Sequence, residues 1–378
     1  MKIPFNIPPN IAESYEEINL SLQSGNLAGR GPYTKKCQDI LLKSHENISR
    51  VFLTTSCTHA LEISAILLNL KPGDEVIVPS YTFVSSALSF YMHGATIRFC
   101  DIRPDTLNID EESIEDLINK NTRAIVVVHY AGVACEMDSI MKLAKKYNLY
   151  LIEDNAHGLH GKYKGINLGT FGDFSTLSFH ETKNISCGEG GAIFIKNESF
   201  IERAEIILEK GTNRSLFING QVDKYSWVDK GSSYILSDIL ASILFSQLNA
   251  LTEIQSKREL LWNNYYSKLI NWANQNQVKL PYIPSHCQQT YHMFYMLMPS
   301  KVIRNKFIQY LSKKNITAVF HYLPLDSSQM GVKIKHVDQK ECEVSQRVSD
   351  CIVRLPLYFG LDLESQEDII KYVLDFKM

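Results

Sequence analysis

The chain has 378 residues, 45% of them hydrophobic and 21% charged, with a formal net charge of −2. That length allows two domains, and the composition is ordinary for a soluble globular protein with a large core. The near-neutral charge offers no electrostatic footprint for nucleic acid, and no apolar run approaches the length of a membrane span.

The opening MKIPFNIPPN is broken by prolines and asparagines and does not read as a signal peptide, so a cytoplasmic location is expected. Ile11–Gln23 and Tyr33–Lys43 read as helices on either side of a glycine-rich turn, LAGRGP. Val51–Thr54, Glu75–Val78, Ile97–Asp101, Ala124–His129 and LYLIED (149–154) read as strands, and the near-continuous apolar character of Ile97–Asp101 and Ala124–His129 implies burial on both faces. Helices are predicted within Thr54–Leu70, where Ser56 or Thr58 would serve as N-cap, over Val84–His93 and over Met137–Tyr147. Strands alternating with helices of this length mean a mostly parallel sheet with helices on both sides. Ile201–Lys210 is a further helix, and Gly211–Gly231 is a long connection without period, a feature that is usually functional. Ser237–Glu253 continues as helix to Trp272. Strand-like pieces (His292–Met298, Ala318–Tyr322) and helices (Ile303–Lys314, Glu364–Tyr372) then make a smaller α+β unit. The predicted division is 1–252 and 253–378. The eight cysteines form no CxxC pair, which favours reduced thiols over a disulfide framework or a metal site.

Chemistry concentrates in TLSFHETKNISCGEGG, Thr176–Gly191, where an alternating apolar strand, Leu177–Phe179, runs into a polar turn, one lysine and a glycine cluster. A lysine at a strand end, beside backbone that lets a planar ligand approach closely, suits a Schiff-base enzyme. Asp154 ends a buried strand 29 residues before Lys183. A carboxylate for a pyridinium nitrogen and a lysine for an imine are the two groups that pyridoxal phosphate chemistry requires. A solvated amine and a helix N-cap are the ordinary readings of the two residues taken singly. A third component shifts the balance: Thr54–Leu70, TTSCTHALEISAILLNL, brings hydroxyls into a helix start, a ready phosphate site.

The segments SCTHALE, PSYTFVS, IEDNAHG, SFHETKN and GEGG resemble the DegT/DnrJ/EryC1/StrS sugar-nucleotide aminotransferases, from IPFNIPPN to LPLYFGL. HYAGVACEMD, EKGTNRS, GQVDKYSW and FHYLPL are most similar to the dTDP-4-amino-4,6-dideoxygalactose transaminases. The resemblance implies an aspartate-aminotransferase-like α/β architecture, fold type I of the pyridoxal 5′-phosphate enzymes. It implies a phosphate cup of Cys57, Thr58 and Ser178, and an aromatic, Phe83, flat against the pyridine ring. His157 stands where many relatives carry glutamine, so its role as a cofactor contact stays open. A homodimer with shared active sites is implied, the 211–231 connection reaching the partner. Ser233 then replaces the asparagine that touches the partner's phosphate in many relatives, Arg214 is a candidate for an anionic group, and His321 a candidate lining of the substrate cavity. Asp326 stands where relatives of the subfamily carry histidine. No metal is implied.

The implied reaction moves an amino group from L-glutamate to C4 of dTDP-4-keto-6-deoxyglucose, with the pyridoxamine form of the cofactor between the two halves. Lys183 shuttles the proton and Asp154 keeps the pyridine nitrogen protonated. The alternatives are amination at C3, sugar dehydration (against which the presence of Lys183 counts) and a non-catalytic cofactor-binding sensor. A nicotinamide enzyme would need a glycine fingerprint that SCTHALE lacks.

Overall fold

The computed structural model describes residues 2–336 and 338–378. Seven strands form the central sheet: β1 (Arg50–Thr54), β2 (Glu75–Pro79), β3 (Thr96–Cys100), β4 (Thr122–Val128), β5 (Tyr150–Asp154), β6 (Phe174–Ser178) and β7 (Gly191–Ile195). Their order is β1-β7-β6-β5-β4-β2-β3. Strands β3, β2, β4, β5 and β6 run parallel, and β7 is antiparallel to both β6 and β1. Nearly all of TRAIVVV in β4 is buried, as a strand covered on both faces must be. The helices of this part are α1 (Glu13–Ser24), α2 (Pro32–Ser44), α3 (Cys57–Leu67), α4 (Ser85–Tyr91), α5 (Glu111–Leu117), α6 (Met137–Tyr147), α7 (Ile201–Leu208), α8 (Arg214–Ile218) and α9 (Asp238–Asn249).

Local chemistry explains where these elements begin. Ser56 caps α3 by accepting from the His59 N–H at 3.1 Å. The buried Asp238 carboxylate accepts from the N–H groups of Tyr33 (3.1 Å) and Thr34 (2.7 Å), satisfying free donors at the start of α2.

Two sequence expectations need adjustment here. Helix does not run unbroken from Ser237 to Trp272: α9 ends at Asn249, Ala250 sits at φ −87°, ψ 6°, and α10 (Leu251–Gln275) starts afresh. The strand before Lys183 ends at Ser178, because Ser178 is the last residue in register with β7, opposite Gly191.

The C-terminal part gathers a second core from Trp262, Tyr265, Phe294, Phe307 and Ile369. It is built from α10, β8 (Phe294–Leu297), α11 (Lys301–Lys313), α12 (Gln329–Ile334), α13 (Glu343–Cys351), β9 (Ile352–Leu355) and α14 (Leu363–Asp375). Strands β8 and β9 pair antiparallel. The piece expected as a strand at Ala318–Tyr322 forms only single bridges, Val319 to Arg354 and the neighbouring Ile316 to Ile3. Along α10, Ile254 belongs to the core beneath α9, whereas Leu261 onward belongs to the second core. Ile3 packs against that second core, so the N-terminal segment reaches the C-terminal part.

Candidate active site

Parallel strands deliver their last residues to one edge of the sheet, where ligands of such folds collect. Asp154 is the final residue of β5 and is buried. Ser86, from α4, donates to its Oδ2 at 2.6 Å, and the Ala156 N–H donates to Oδ1 at 3.2 Å. The Cys57 thiol lies 4.0 Å from the same Oδ1 and 3.4 Å from Thr176 Oγ1. Burial pushes the Asp154 carboxyl above the usual range, while these donors and the Lys183 charge pull it back.

Lys183 sits on the turn after β6, its N–H bonded to the His180 carbonyl at 2.9 Å. Desolvation lowers its amine below the ordinary lysine value, the Asp154 charge opposes that, and the Arg354 cation reinforces it. Ala156, His157, Ser178, Asn184 and His292 share with it a small cavity.

Three imidazoles close one side. The His157 ring stacks on His292 with centroids 4.3 Å apart and leans toward His321 at 6.3 Å. His157 Nε2 is 3.4 Å from the Tyr322 hydroxyl, whereas its buried Nδ1 has no partner among the described residues. His292 Nδ1 lies 2.9 Å from Asn184 Oδ1, and His321 Nδ1 lies 2.6 Å from the Tyr130 hydroxyl. Burial depresses all three well below the normal histidine value, which leaves them neutral at pH 7.

The N-terminus of α3 faces the same edge. Thr58 Oγ1 lies 2.7 Å from Ser85 Oγ, so two helix starts meet through their hydroxyls. Gly191 lies directly behind: a Cβ there would fall 2.4 Å from the Ser56 carbonyl carbon and 2.5 Å from the Cys57 nitrogen. Phe83 is 55% exposed, its ring 6.2 Å from that of Tyr322, which leaves a face open to a planar group.

The structure thus brings Cys57, Thr58, Asp154, His157, Ser178, Lys183 and His321 to one locality, with Phe83 at its rim. Arg214 and Ser233 lie apart. Arg214 is exposed and 3.9 Å from Glu209, and the exposed Ser233 bridges to Glu209 through its backbone. No hydrogen bond or ion pair joins either residue to the Lys183 group among the described residues. Asp326 is buried and committed elsewhere, accepting from Ser80 Oγ at 2.6 Å and from the Cys342 N–H at 3.2 Å.

Sequence reasoning passed over Ser86, Thr176, Asn184, Tyr130, Tyr322 and His292. Ser86 follows Phe83 within a hydroxyl-rich helix start and carried a usable signal. His292, in QTYHMF, carries none, because only the fold brings it beneath His157.

These residues fit pyridoxal phosphate on their own geometry. A buried carboxylate and a depressed lysine amine feel each other's charge, a buried imidazole nitrogen lacks a partner among the described residues, and paired hydroxyls stand at a helix N-terminus.

Comparison with known proteins agrees. The model of the DegT/DnrJ/EryC1/StrS aminotransferase family matches residues 9–374. An uncharacterized protein of Methanocaldococcus jannaschii is 33% identical over 366 residues, covering 95% of this chain and 94% of its own. The spore coat polysaccharide biosynthesis protein SpsC of Bacillus subtilis is 27% identical, covering 99% and 96%. Spr1654 of Streptococcus pneumoniae, assigned as a sugar aminotransferase, superposes with a TM-score of 0.89 at 25% identity, covering 99% of this chain and 97% of its own. It is also known in pyridoxamine phosphate and pyridoxal phosphate forms. The chain belongs to the DegT/DnrJ/EryC1/StrS aminotransferase family, built on fold type I of the pyridoxal phosphate enzymes.

Proposed function

We propose that the protein moves an amino group from L-glutamate to the C4 keto group of a dTDP-4-keto-6-deoxyhexose, giving dTDP-4-amino-4,6-dideoxygalactose for a surface polysaccharide such as O-antigen. The observation that carries the chemistry is the pair of Lys183 and Asp154, a depressed amine and a buried carboxylate at adjoining strand ends. Pyridoxal phosphate, when bound, supplies the carbonyl that carries the amine and the ring that takes up electrons. Lys183 holds or moves the proton at Nζ, and its desolvation shifts the amine toward the neutral form that accepts one. Asp154 holds its charge toward the pyridine nitrogen, fixed in orientation by Ser86 and the Ala156 N–H. Cys57, Thr58 and Ser178 would hold the phosphate, Phe83 would cover the ring, and the unpartnered Nδ1 of His157 would be free to contact the cofactor.

The choice of sugar rests on the resemblance of HYAGVACEMD, EKGTNRS, GQVDKYSW and FHYLPL, and on serine at 233. A homodimer completes the site, with Arg214 and Ser233 serving the partner's cavity. The exposure of Ile218, Tyr225, Trp227 and Val228 on the 211–231 connection supports this, as apolar surface awaiting a second copy of the chain. We place the division between the larger and smaller units at 252/253, and the enzyme in the cytoplasm.

Incubation with L-glutamate and dTDP-4-keto-6-deoxyglucose, followed by NMR of the sugar product, tests the assignment. An amine on C4 in the galacto configuration is the expected result, and an amine on C3 or unreacted sugar would overturn it.

A further inference from the structure

The segment Thr290–His292, which leads into β8, is held from several sides at once. Arg258, on α10, is 2% exposed, and no carboxylate of the described residues lies within 4.0 Å of its guanidinium. It donates to three carbonyls instead: Nε to Tyr291 at 3.0 Å, and Nη2 to His292 at 2.5 Å and Leu357 at 3.2 Å. Those carbonyl dipoles stand in for the missing counter-ion of a buried charge, and in turn they are fixed by it. Tyr291 sits at φ 51°, a conformation that residues other than glycine seldom adopt. Thr290 ties the segment to the edge of the large sheet. Its N–H donates to the Gly132 carbonyl at 3.2 Å, and its Oγ1 to the His157 carbonyl at 2.7 Å. Its own carbonyl accepts from Asn184 Nδ2 at 2.8 Å.

That last bond decides where a proton sits. A carbonyl only accepts, so the Asn184 amide turns its nitrogen to Thr290 and its oxygen to His292, 2.9 Å from Nδ1. The imidazole must therefore carry a proton on Nδ1 and donate it. Burial, with the charges of Lys183, Arg258 and Arg354 nearby, disfavours a second proton, which leaves Nε2 bare. Asn184 is buried, and both ends of its amide are spent on the 290–292 segment. Lys183 is the residue before it, with its own N–H held by the His180 carbonyl at 2.9 Å. The lysine backbone is thus anchored on both sides.

We propose that His292 is a positioning residue for Lys183: its Nδ1–H locks Asn184, and Asn184 fixes the backbone from which the lysine side chain enters the cavity. This rests on Lys183 as the amine that holds the cofactor, and adds the group that aims it. Stacking on His157, with centroids 4.3 Å apart, would be served by any flat ring. Only a ring with a donor at the place of Nδ1 serves Asn184 as well.

The test compares His292→Phe, which keeps a flat ring and loses the donor, with His292→Asn, which loses the ring and keeps an N–H near the place of Nδ1. Each apoprotein is mixed with pyridoxal 5′-phosphate. The rise of the visible band gives the rate of cofactor capture, and circular dichroism of that band reports how the cofactor is oriented. In His292→Phe capture slows by about tenfold or more, the effect of one lost buried hydrogen bond, and the dichroism changes. His292→Asn recovers most of both. Asn184→Leu reproduces the defect, and adding His292→Phe to it costs little more. The reverse ranking, with the Phe variant like wild type and the Asn variant impaired, would show a packing role and overturn the proposal, as would additive effects in the double variant. Nitrogen-15 NMR of the histidine-labelled wild-type apoprotein reads the tautomer without any substitution. A His292 ring protonated at Nδ1 alone is expected, and a proton on Nε2 alone would overturn the proposal. A wild-type protein that captures no cofactor would overturn the role of Lys183 instead, and the NMR would still decide the His292–Asn184 bond.

Discussion

A buried amine and a buried carboxylate make opposite demands, and Lys183 and Asp154 answer them together. Desolvation favours the neutral form of each, and each one's charge favours the charged form of the other. Lys183→Ala removes the proton carrier, and turnover falls by about 10²–10⁴-fold or more while cofactor still binds. Near-wild-type turnover would remove Lys183 from the centre of the mechanism. Asp154→Asn keeps the shape and loses the charge. Cofactor retention weakens and the proton shift slows by about a hundredfold, the scale of one lost electrostatic partner; single-turnover rates measure it. His157, His292 and His321 set a pH signature. Their folded-state pKa values lie below the unfolded value, so folding excludes protons that the unfolded chain binds. Stability is therefore intact above the ordinary histidine pKa and is lost as pH falls from there toward the folded values. Each imidazole contributes at most about 1.4 kcal/mol per pH unit. Thermal melts of the apoprotein between pH 7 and 5 show a steep decline, made shallower by His157→Gln; an unchanged slope contradicts this. At this scale Lys183 and Asp154 were legible because strand ends announce themselves in sequence. Tyr130, Tyr322 and His292 were not, since nothing local marks residues that meet only through tertiary packing.

The element that shapes the site is the close approach of β7 to the start of α3. Gly191 has room for hydrogen only, with Ser56 and Cys57 backbone atoms at 2.4–2.6 Å from where a Cβ would stand. Gly191→Ala must shift the phosphate-facing turn, destabilising the protein by about 1–3 kcal/mol, as overpacking does. It also loosens cofactor binding, and denaturant titration with cofactor retention on gel filtration reads both. A variant as stable and as well loaded as wild type would show that the approach is not needed. The glycine cluster was legible as flexible backbone near a ligand, but its continuation into an antiparallel strand was not. That strand breaks the parallel rule the rest of the sheet obeys, and its register with Ser178 is fixed by pairing across the sheet. The break at Ala250 escaped notice for the opposite reason, since alanine is a good helix former and no local breaker marks the junction.

Across the whole molecule, Arg214 and Ser233 have no work within their own chain's cavity, which a dimer would explain. Trp227 is 82% exposed on the same connection. Trp227→Asp should shift sedimentation from dimer toward monomer and depress activity with it, and a fully active monomer would contradict the shared site. The alternation of strands and helices was legible throughout the large sheet. The C-terminal part was less so, because its strands are short and Ala318–Tyr322 pairs at single bridges only. The proposed amino transfer turns on one reversible event at Lys183. The visible spectrum of the purified holoenzyme, followed during additions of L-glutamate and then dTDP-4-keto-6-deoxyglucose, tests it most directly. The cofactor's long-wavelength band should bleach with glutamate and return with the sugar; a band that neither addition alters would contradict amino transfer at Lys183.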